Sequence, residues 1–261
     1  MRTTGWKQRL SAVALSGLCL ALSIGVSGQG TDAADAQTGS LKGQITIDGD
    51  FKPLDPVVKK GAPVQNAGIC SAKDLPNEAV VVDPATKGIA NVFVYLQKAP
   101  EGYKAPPVPK DAVVFDQKDC KFFPHGLVLR VDQELRVLND DDCLHNTHVI
   151  STTFEKNEAI KAKDRTGIAF KYPKPQKYPV KVVCDLHAWM VAYQLPLDHP
   201  FGAVTNEKGE FEIKDLPPGK YEFLIWQETS GVLERKYAVE IKGGQATDAK
   251  LKFPATKFKA K

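Results

Sequence analysis

The chain has 261 residues, of which 43% are hydrophobic and 25% are charged, as is typical of a globular protein of one large domain or two small ones. Its 35 basic and 31 acidic residues give a formal net charge of +4. So small an excess argues against a nucleic-acid-binding protein, because such a protein needs a basic surface to displace counterions.

The first 30 residues predict a secretory signal peptide. Three basic residues precede an apolar run from about Leu10 to Val26, with the small residues of "GVSGQG" at its end. An uncleaved membrane anchor is the alternative, although the run is short and interrupted by Ser and Gly. Cleavage would remove three basic and no acidic residues and leave a net charge of +1. We therefore expect a periplasmic or extracellular protein with no membrane span after signal cleavage.

The rest of the chain predicts an all-β fold. Short runs alternate apolar and polar residues between turn residues, which is the pattern of strands with one buried face. The runs are 43–49, 91–97, 125–140, 179–184, 191–197, 210–216, 220–226 and 236–253. The sequence shows no long helical pattern, and a short helix is expected only around Glu155–Lys163. Two segments rich in Pro and Lys, 98–110 and 171–179, are predicted connections because Pro donates no hydrogen bond to a sheet.

The two ends of this β-region resemble a single domain family. The stretch "AVTNEKGEFEIKDLPPGKYEFLIW", from Ala203, resembles the central strands of a carboxypeptidase-regulatory-like, or transthyretin-like, β-sandwich. That family opens with strands similar to "GQITIDG" and "GIANVFVYL", which stand far upstream here. The resemblance implies one sandwich built from 41–98 and 200–254, with a second β-domain, 111–198, inserted into it. Domains in series are the alternative.

The stretch "CDLHAWM", residues 184–190, carries the clearest chemistry in the sequence. Cys184, His187 and Met190 offer a thiolate, an imidazole and a thioether, which together suit copper. A predicted strand ends at Cys184, so a tight loop can turn all three side chains toward one metal, which a regular strand could not do. A blue-copper site needs a second His. The upstream stretch "NDDDCLHNTHVI" offers His145 and His148, while its "DDD" is interpreted as a solvated turn.

Residues 113–198 resemble a cupredoxin of the plastocyanin/amicyanin type. The strand pair "CKFFPHGLVLRVDQELRVLN", a His-Asn pair after a strand that ends in Asn, and the Cys-x2-His-x2-Met loop match that family's pattern. The resemblance implies a Greek-key β-sandwich with one type 1 copper ion. It selects the first His of "HNTH", because Asn follows it. The ligands that it implies are His145, Cys184, His187 and Met190.

The same resemblance implies roles for the residues around the metal. Asn146 would help to hold the loop that carries Cys184, and Trp189 would pack beside that loop or line a docking patch. The electron would pass through His187, whose ring edge would reach the surface within an apolar patch. Three other histidines are predicted not to be ligands: His125, His148 and His199.

Four cysteines follow the predicted signal peptide. With Cys184 assigned to copper, the other three allow three different single disulfides. We predict Cys70–Cys120, which ties the N-terminal segment to the first cupredoxin strand across the Pro-rich connection. Cys143 is then a free thiol, interpreted either as a buried side chain or as a second sulfur near the copper.

These features predict a secreted blue copper protein that exchanges electrons with a redox partner protein. Copper binding or delivery without electron transfer would use the same ligands, and zinc held by Cys and two His would leave Met190 idle. An enzyme is disfavoured, because the five histidines of the chain are too few for the His-rich cluster of oxygen-reducing copper enzymes. A structural secreted β-sandwich protein with a fortuitous motif is the last alternative.

Overall fold

The computed structural model of the protein describes residues 37–258, so the predicted signal peptide lies outside the described residues. Within them the regular secondary structure is almost entirely strand, which confirms the all-β prediction. The strands are β1 (Gly39–Asp48), β2 (Phe93–Tyr95), β3 (Val113–Lys118), β4 (Lys121–Phe123), β5 (Gly126–Arg130), β6 (Leu135–Asn139), β7 (His145–Ile150), β8 (Lys156–Ile160), β9 (Ile168–Phe170), β10 (Val180–Val183), β11 (Val191–Leu197), β12 (Gly202–Val204), β13 (Glu210–Leu216), β14 (Gly219–Gln227), β15 (Gly231–Ile241) and β16 (Ala246–Pro254). One short helix, α1 (Ala67–Cys70), and a 3₁₀ turn (Ala255–Lys257) complete the described elements. None of the described helices has the length and apolar character required to span a membrane.

The strands form two pairs of sheets. In the first pair, here called the terminal sheets, β1 lies between β13 and β16, and β2 lies between β12 and β14, with β15 at the edge. In the second pair, the central sheets, the strand orders are β5-β11-β10-β7-β8 and β4-β3-β6-β9. The two ends of the chain thus share both terminal sheets, and the strands between them build the central sheets.

Each pair of sheets encloses its own apolar core. Leu41, Ile45 and Ile47 alternate along β1 and are almost fully buried in the terminal core, as expected for a strand with one buried face. Phe115 and Val137 belong to the central core, which also contains the cysteines. Burying one such Leu, Ile or Phe side chain stabilises the fold by roughly 1.5–3 kcal/mol. A third cluster joins β2, β11 and β14: Phe93, Tyr95, Leu195, Leu197, Leu224 and Trp226.

The parallel pairing of β1 with β16 depends on a close backbone approach at Gly43. Gly43 stands opposite Ala249, and a Cβ atom at position 43 would lie only 2.1 Å from the Ala249 carbonyl oxygen. A side chain at this position would force the two strands apart. The glycine of the "GQITIDG" run is therefore what lets the first strand dock beside the last one.

The prediction of a short helix around Glu155–Lys163 is wrong, because Lys156–Ile160 forms strand β8. This segment pairs antiparallel with β7, with His145 opposite Ile160. It is an edge strand in which Lys156 and Glu158 are half-buried and Ile160 is fully buried. The polar composition resembles a solvated helix, but cross-strand pairing and the burial of one side chain decide the outcome.

Candidate metal centre

The predicted copper ligands lie together at one end of the central sheets. His145 begins β7, and Cys184 directly follows β10, which is hydrogen-bonded to β7. The loop after β10 folds back on itself, because the Met190 N–H donates to the His187 carbonyl (2.8 Å) and the Cys184 N–H donates to the Met190 carbonyl (3.2 Å). Two neighbouring strands and one tight loop therefore place the four side chains in one region.

Three potential ligand atoms converge in this region. The Cys184 Sγ lies 3.5 Å from the His187 Nδ1 and 4.0 Å from the His145 Nδ1. The two Nδ1 atoms are 3.0 Å apart. A metal at the centre of a trigonal site, with bonds of about 2.0–2.3 Å, separates its ligand atoms by roughly 3.5–4 Å. The two sulfur–nitrogen distances meet this requirement, and the nitrogens would need to part by about half an ångström.

All four predicted ligands are buried. His145 and His187 are fully buried, and Cys184 and Met190 are each 1% exposed. Met190 belongs to the same apolar core as Cys184, so its side chain is inside the protein. The converging donor set is thus two imidazoles and a thiol, which fits copper better than a hard cation.

The far nitrogen of each imidazole is held by an oxygen acceptor. The His145 Nε2 lies 2.9 Å from the Asp141 Oδ2, and the His187 Nε2 lies 3.0 Å from the Asn66 Oδ1. A carboxylate or amide oxygen only accepts, so each Nε2 carries a proton and donates it. This arrangement directs both Nδ1 atoms toward Cys184 and fixes the ring orientation, as outer hydrogen-bond partners do in metal sites.

Asp141 is a buried carboxylate with three hydrogen bonds. Burial acts to raise its pKa, but the hydrogen bonds from His145 and from the backbone N–H groups of Cys120 and Asp119 outweigh burial and lower it. The pKa of His145 is raised, because Asp141 and Cys184 favour its charged form despite burial. The interpretation of the "DDD" run as a solvated turn is therefore wrong for its middle residue.

The Cys184 thiol is poised to ionise. Burial acts to raise its pKa, but a hydrogen bond with His145, the nearby His187 ring and the backbone N–H groups of Asn146 and Leu186 lower the pKa to about 6. The thiolate is the form of cysteine that binds metals. At neutral pH this side chain is therefore already in its ligand form.

Asn146 and Trp189 lie beside the ligand loop. The Asn146 Oδ1 accepts from the Asp185 N–H at 2.7 Å, and its Nδ2 donates to the Asp185 carboxylate at 2.8 Å. These two bonds tie the start of the loop to β7. The Trp189 indole N–H donates to the Cys120 carbonyl at 3.1 Å, with its ring 5.2 Å from the His187 ring.

The prediction that the His187 ring edge reaches the surface is wrong. A segment that we call the cap, residues 57–75, covers the ring and brings Asn66 to its Nε2. The predicted Cys70–Cys120 disulfide is present and attaches the cap to the turn between β3 and β4. No periodic pattern in the sequence marks the cap, and the contact of Asn66 with His187 joins residues 121 positions apart.

The remaining candidates stand outside the three-atom cluster. Cys143 is a buried free thiol whose Sγ lies 3.5 Å from the His145 Nε2, on the ring edge opposite the Nδ1. Burial, with help from Asp141, raises its pKa to about 11, so it stays protonated. The other three histidines make contacts elsewhere: His125 with Glu228, His148 with Asp185, and His199 with the Phe201 N–H, which donates to its Nδ1.

Comparison with known proteins adds the following matches. No protein-family model matches the chain, and no curated protein matches its sequence. Among solved structures, the chain is similar to a "Novel Purple Cupredoxin from Nitrosopumilus maritimus" (18% identity, 33% of this chain and 100% of that one, TM-score 0.28). It is also similar to amicyanin from Paracoccus versutus (17% identity, 34% and 85%, TM-score 0.30) and to the Cu-containing nitrite reductase of Thermus scotoductus SA-01 (18% identity, 38% and 25%, TM-score 0.28). These matches leave most of the chain uncovered and give no support to the transthyretin-like resemblance of its two ends.

Proposed function

We propose that this protein binds one copper ion in a type 1 site and transfers electrons to or from a redox partner protein. The observation that carries the proposal is the convergence of Cys184 Sγ with the Nδ1 atoms of His145 and His187 inside the protein. Both far ring nitrogens are occupied by oxygen acceptors, so the chain itself orients the ligand atoms. The proposed ligands are His145, Cys184, His187 and Met190.

The surroundings of these side chains favour electron transfer over other uses of the same ligands. Copper would supply a one-electron couple between Cu(II) and Cu(I). The chain holds both imidazoles through Asp141 and Asn66 and holds the Cys184 loop through Asn146, which limits how far the ligands move between the two states. A carrier of this kind would not itself transform a substrate.

The proposal extends to the architecture and location of the chain. We take residues 111–198 as a cupredoxin domain inserted into a transthyretin-like sandwich formed by 41–98 and 200–254, with strand pairing between the two ends of the chain in support. The disulfide favours an oxidising compartment, in keeping with a secreted protein and the predicted signal peptide of residues 1–30. The sandwich would then serve as a scaffold or docking module.

The visible spectrum after addition of one equivalent of Cu(II) tests the proposed site. We expect an intense blue or green band that ascorbate bleaches, because a Cys thiolate bound to Cu(II) in a constrained site absorbs strongly. Replacement of Cys184 by Ser should abolish the band. The matched control is His148→Ala, since His148 is a nearby His on β7 that pairs with Asp185 instead of the cluster. A pale wild-type product, or a band that survives Cys184→Ser, would contradict the site.

A copper-delivery protein would use the same ligands, but it would release its copper much faster than an electron carrier. The cap covers the site and is fastened by a disulfide, which favours retention over release. We expect the copper-loaded protein to keep its metal for hours in the presence of an excess of a soluble copper chelator. Loss of the metal within seconds would favour a delivery protein.

A further inference from the structure

Asn66 makes a contact that its local structure does not require. It stands at the N-terminal end of α1 with φ 54° and ψ 40°, in the left-handed region that Asn tolerates better than most residues. An Asn at this position ordinarily accepts hydrogen bonds from the first backbone N–H groups of its own helix. Its side chain makes no such cap in the described structure, and its Oδ1 faces the His187 Nε2 at 3.0 Å.

The cap holds Asn66 in this position from several directions. The Asn66 carbonyl accepts from the N–H groups of Ile69 and Cys70, and Cys70 is bonded to Cys120. Val58 pairs with Leu75 at the base of the cap, and both belong to the central core. The acceptor of His187 thus comes from a segment outside the strands and loop that carry the proposed ligands.

The bond has two chemical consequences for His187. An acceptor on Nε2–H fixes the tautomer with a free Nδ1 lone pair, and it makes that nitrogen a stronger electron donor. The cap also occupies the surface over the ring, which is fully buried.

We propose that Asn66 is a positioning residue of the metal centre, which sets the ligand nitrogen of His187. This inference rests on the proposed copper function, but its geometric part can be tested without metal. The acceptor should stabilise Cu(II) more than Cu(I), since Cu(II) gains more from a basic imidazole. Loss of the acceptor should therefore raise the reduction potential.

The first measurement uses the full chain without copper. Nitrogen NMR of ¹⁵N-histidine-labelled protein reports which ring nitrogen carries the proton. We expect His187 to be protonated at Nε2 in the wild type, and to lose this preference in Asn66→Gly. Glycine adopts the left-handed conformation without strain, so this variant removes the amide and preserves the backbone. A wild-type His187 protonated at Nδ1 alone, or one whose ring signals are unchanged in Asn66→Gly, would overturn the proposal.

The second measurement uses the copper-loaded protein. We expect Asn66→Gly to keep a blue band, to have a higher reduction potential and to bind copper about 10–100-fold more weakly. We also expect it to be reduced faster by ascorbate, because the ring is less shielded. Asn66→Asp keeps an acceptor oxygen and should restore the low potential. Asn91→Gly is the matched control, since Asn91 has φ 60° and makes no contact with either proposed histidine ligand in the described structure.

The outcomes of the two measurements are separable. If the wild type gives no blue band but the nitrogen signals respond to Asn66→Gly, the copper function fails and the positioning of His187 stands. If the band is present and Asn66→Gly matches the wild type in potential, affinity and reduction rate, Asn66 plays no part in the metal centre. A change of equal size in Asn91→Gly would also overturn the proposal, because a general effect on folding would then explain the result.

Discussion

The lowered pKa of the Cys184 thiol can be tested directly by titration. Because its pKa is about 6, Cys184 should be a thiolate at neutral pH in the folded, copper-free protein, whereas an ordinary cysteine is protonated there. We expect the ultraviolet thiolate absorbance to rise with a midpoint near pH 6, and this rise to be absent in Cys184→Ser. A wild-type midpoint near pH 9 would contradict the hydrogen bonds described for Cys184.

The same thiolate links stability to pH. A group whose pKa falls on folding contributes stability that is complete above its unfolded pKa, near 9, and is lost as the pH falls through its folded pKa of about 6. The stability advantage of the copper-free wild type over Cys184→Ser should therefore grow between pH 6 and pH 9. Urea unfolding at several pH values measures it. His145 opposes the trend in part, since its raised pKa favours the folded state at low pH.

Single residues also show where sequence reasoning reaches its limit. The spacing of Cys184, His187 and Met190 was enough to identify one loop with three potential ligands. Asp141 was not distinguishable from Asp140 and Asp142, because only the fold shows that it is buried against His145. The role of Asn66 could not be predicted for the same reason, since its partner His187 lies in another part of the chain.

The cap is the element whose stability depends most on a covalent bond. It contains one four-residue helix and irregular backbone, and the Cys70–Cys120 bridge closes a loop of 50 residues. In the chain-entropy model, loss of this bridge costs roughly 4 kcal/mol of stability. We expect the double replacement Cys70→Ala/Cys120→Ala to lower the free energy of unfolding by about this amount in urea titrations.

A matched control for the bridge is Cys143→Ala. This change removes a buried thiol close to the disulfide but breaks no covalent bond. It should cost much less than the double replacement. Equal losses in the two variants would show that packing of the sulfurs, and not the bridge, stabilises the cap.

Strands were predictable where one face of each is buried, because alternation is a local signal. The run 125–140 became β5 and β6 around Asp132, which has φ 60° in the turn. The assignment of β5 and β6 to different sheets had no local signal, since pairing with β11 and β3 decides it. The cap had no local signal either, because its backbone follows no regular period.

At the level of the whole molecule, the terminal and central cores are joined by the cluster that contains Leu195. Leu195 lies on β11, is fully buried, and belongs to the cluster of β2 and β14 residues from the terminal sheets. We expect Leu195→Ala to cost about 2–5 kcal/mol and to lower the temperature of a single calorimetric transition. Val114→Ala, at a position that is 50% exposed, should change stability by less than about 0.5 kcal/mol. Two separate transitions, one of them unmoved by Leu195→Ala, would show that the cores unfold independently.

The disulfide also bears on how the protein is loaded with metal. Cys70 stands four residues after Asn66, and its bond to Cys120 holds this part of the cap at the His187 ring. We expect oxidation of the two thiols to slow the approach of a metal ion to the ring. A chain that oxidises before it meets copper would be folded and stable, yet slow to fill. The yield of copper-loaded protein would then depend on the relative rates of metal binding and disulfide formation. Copper should load at least several times faster into chemically reduced protein than into oxidised protein, as followed by the growth of the visible band after rapid mixing.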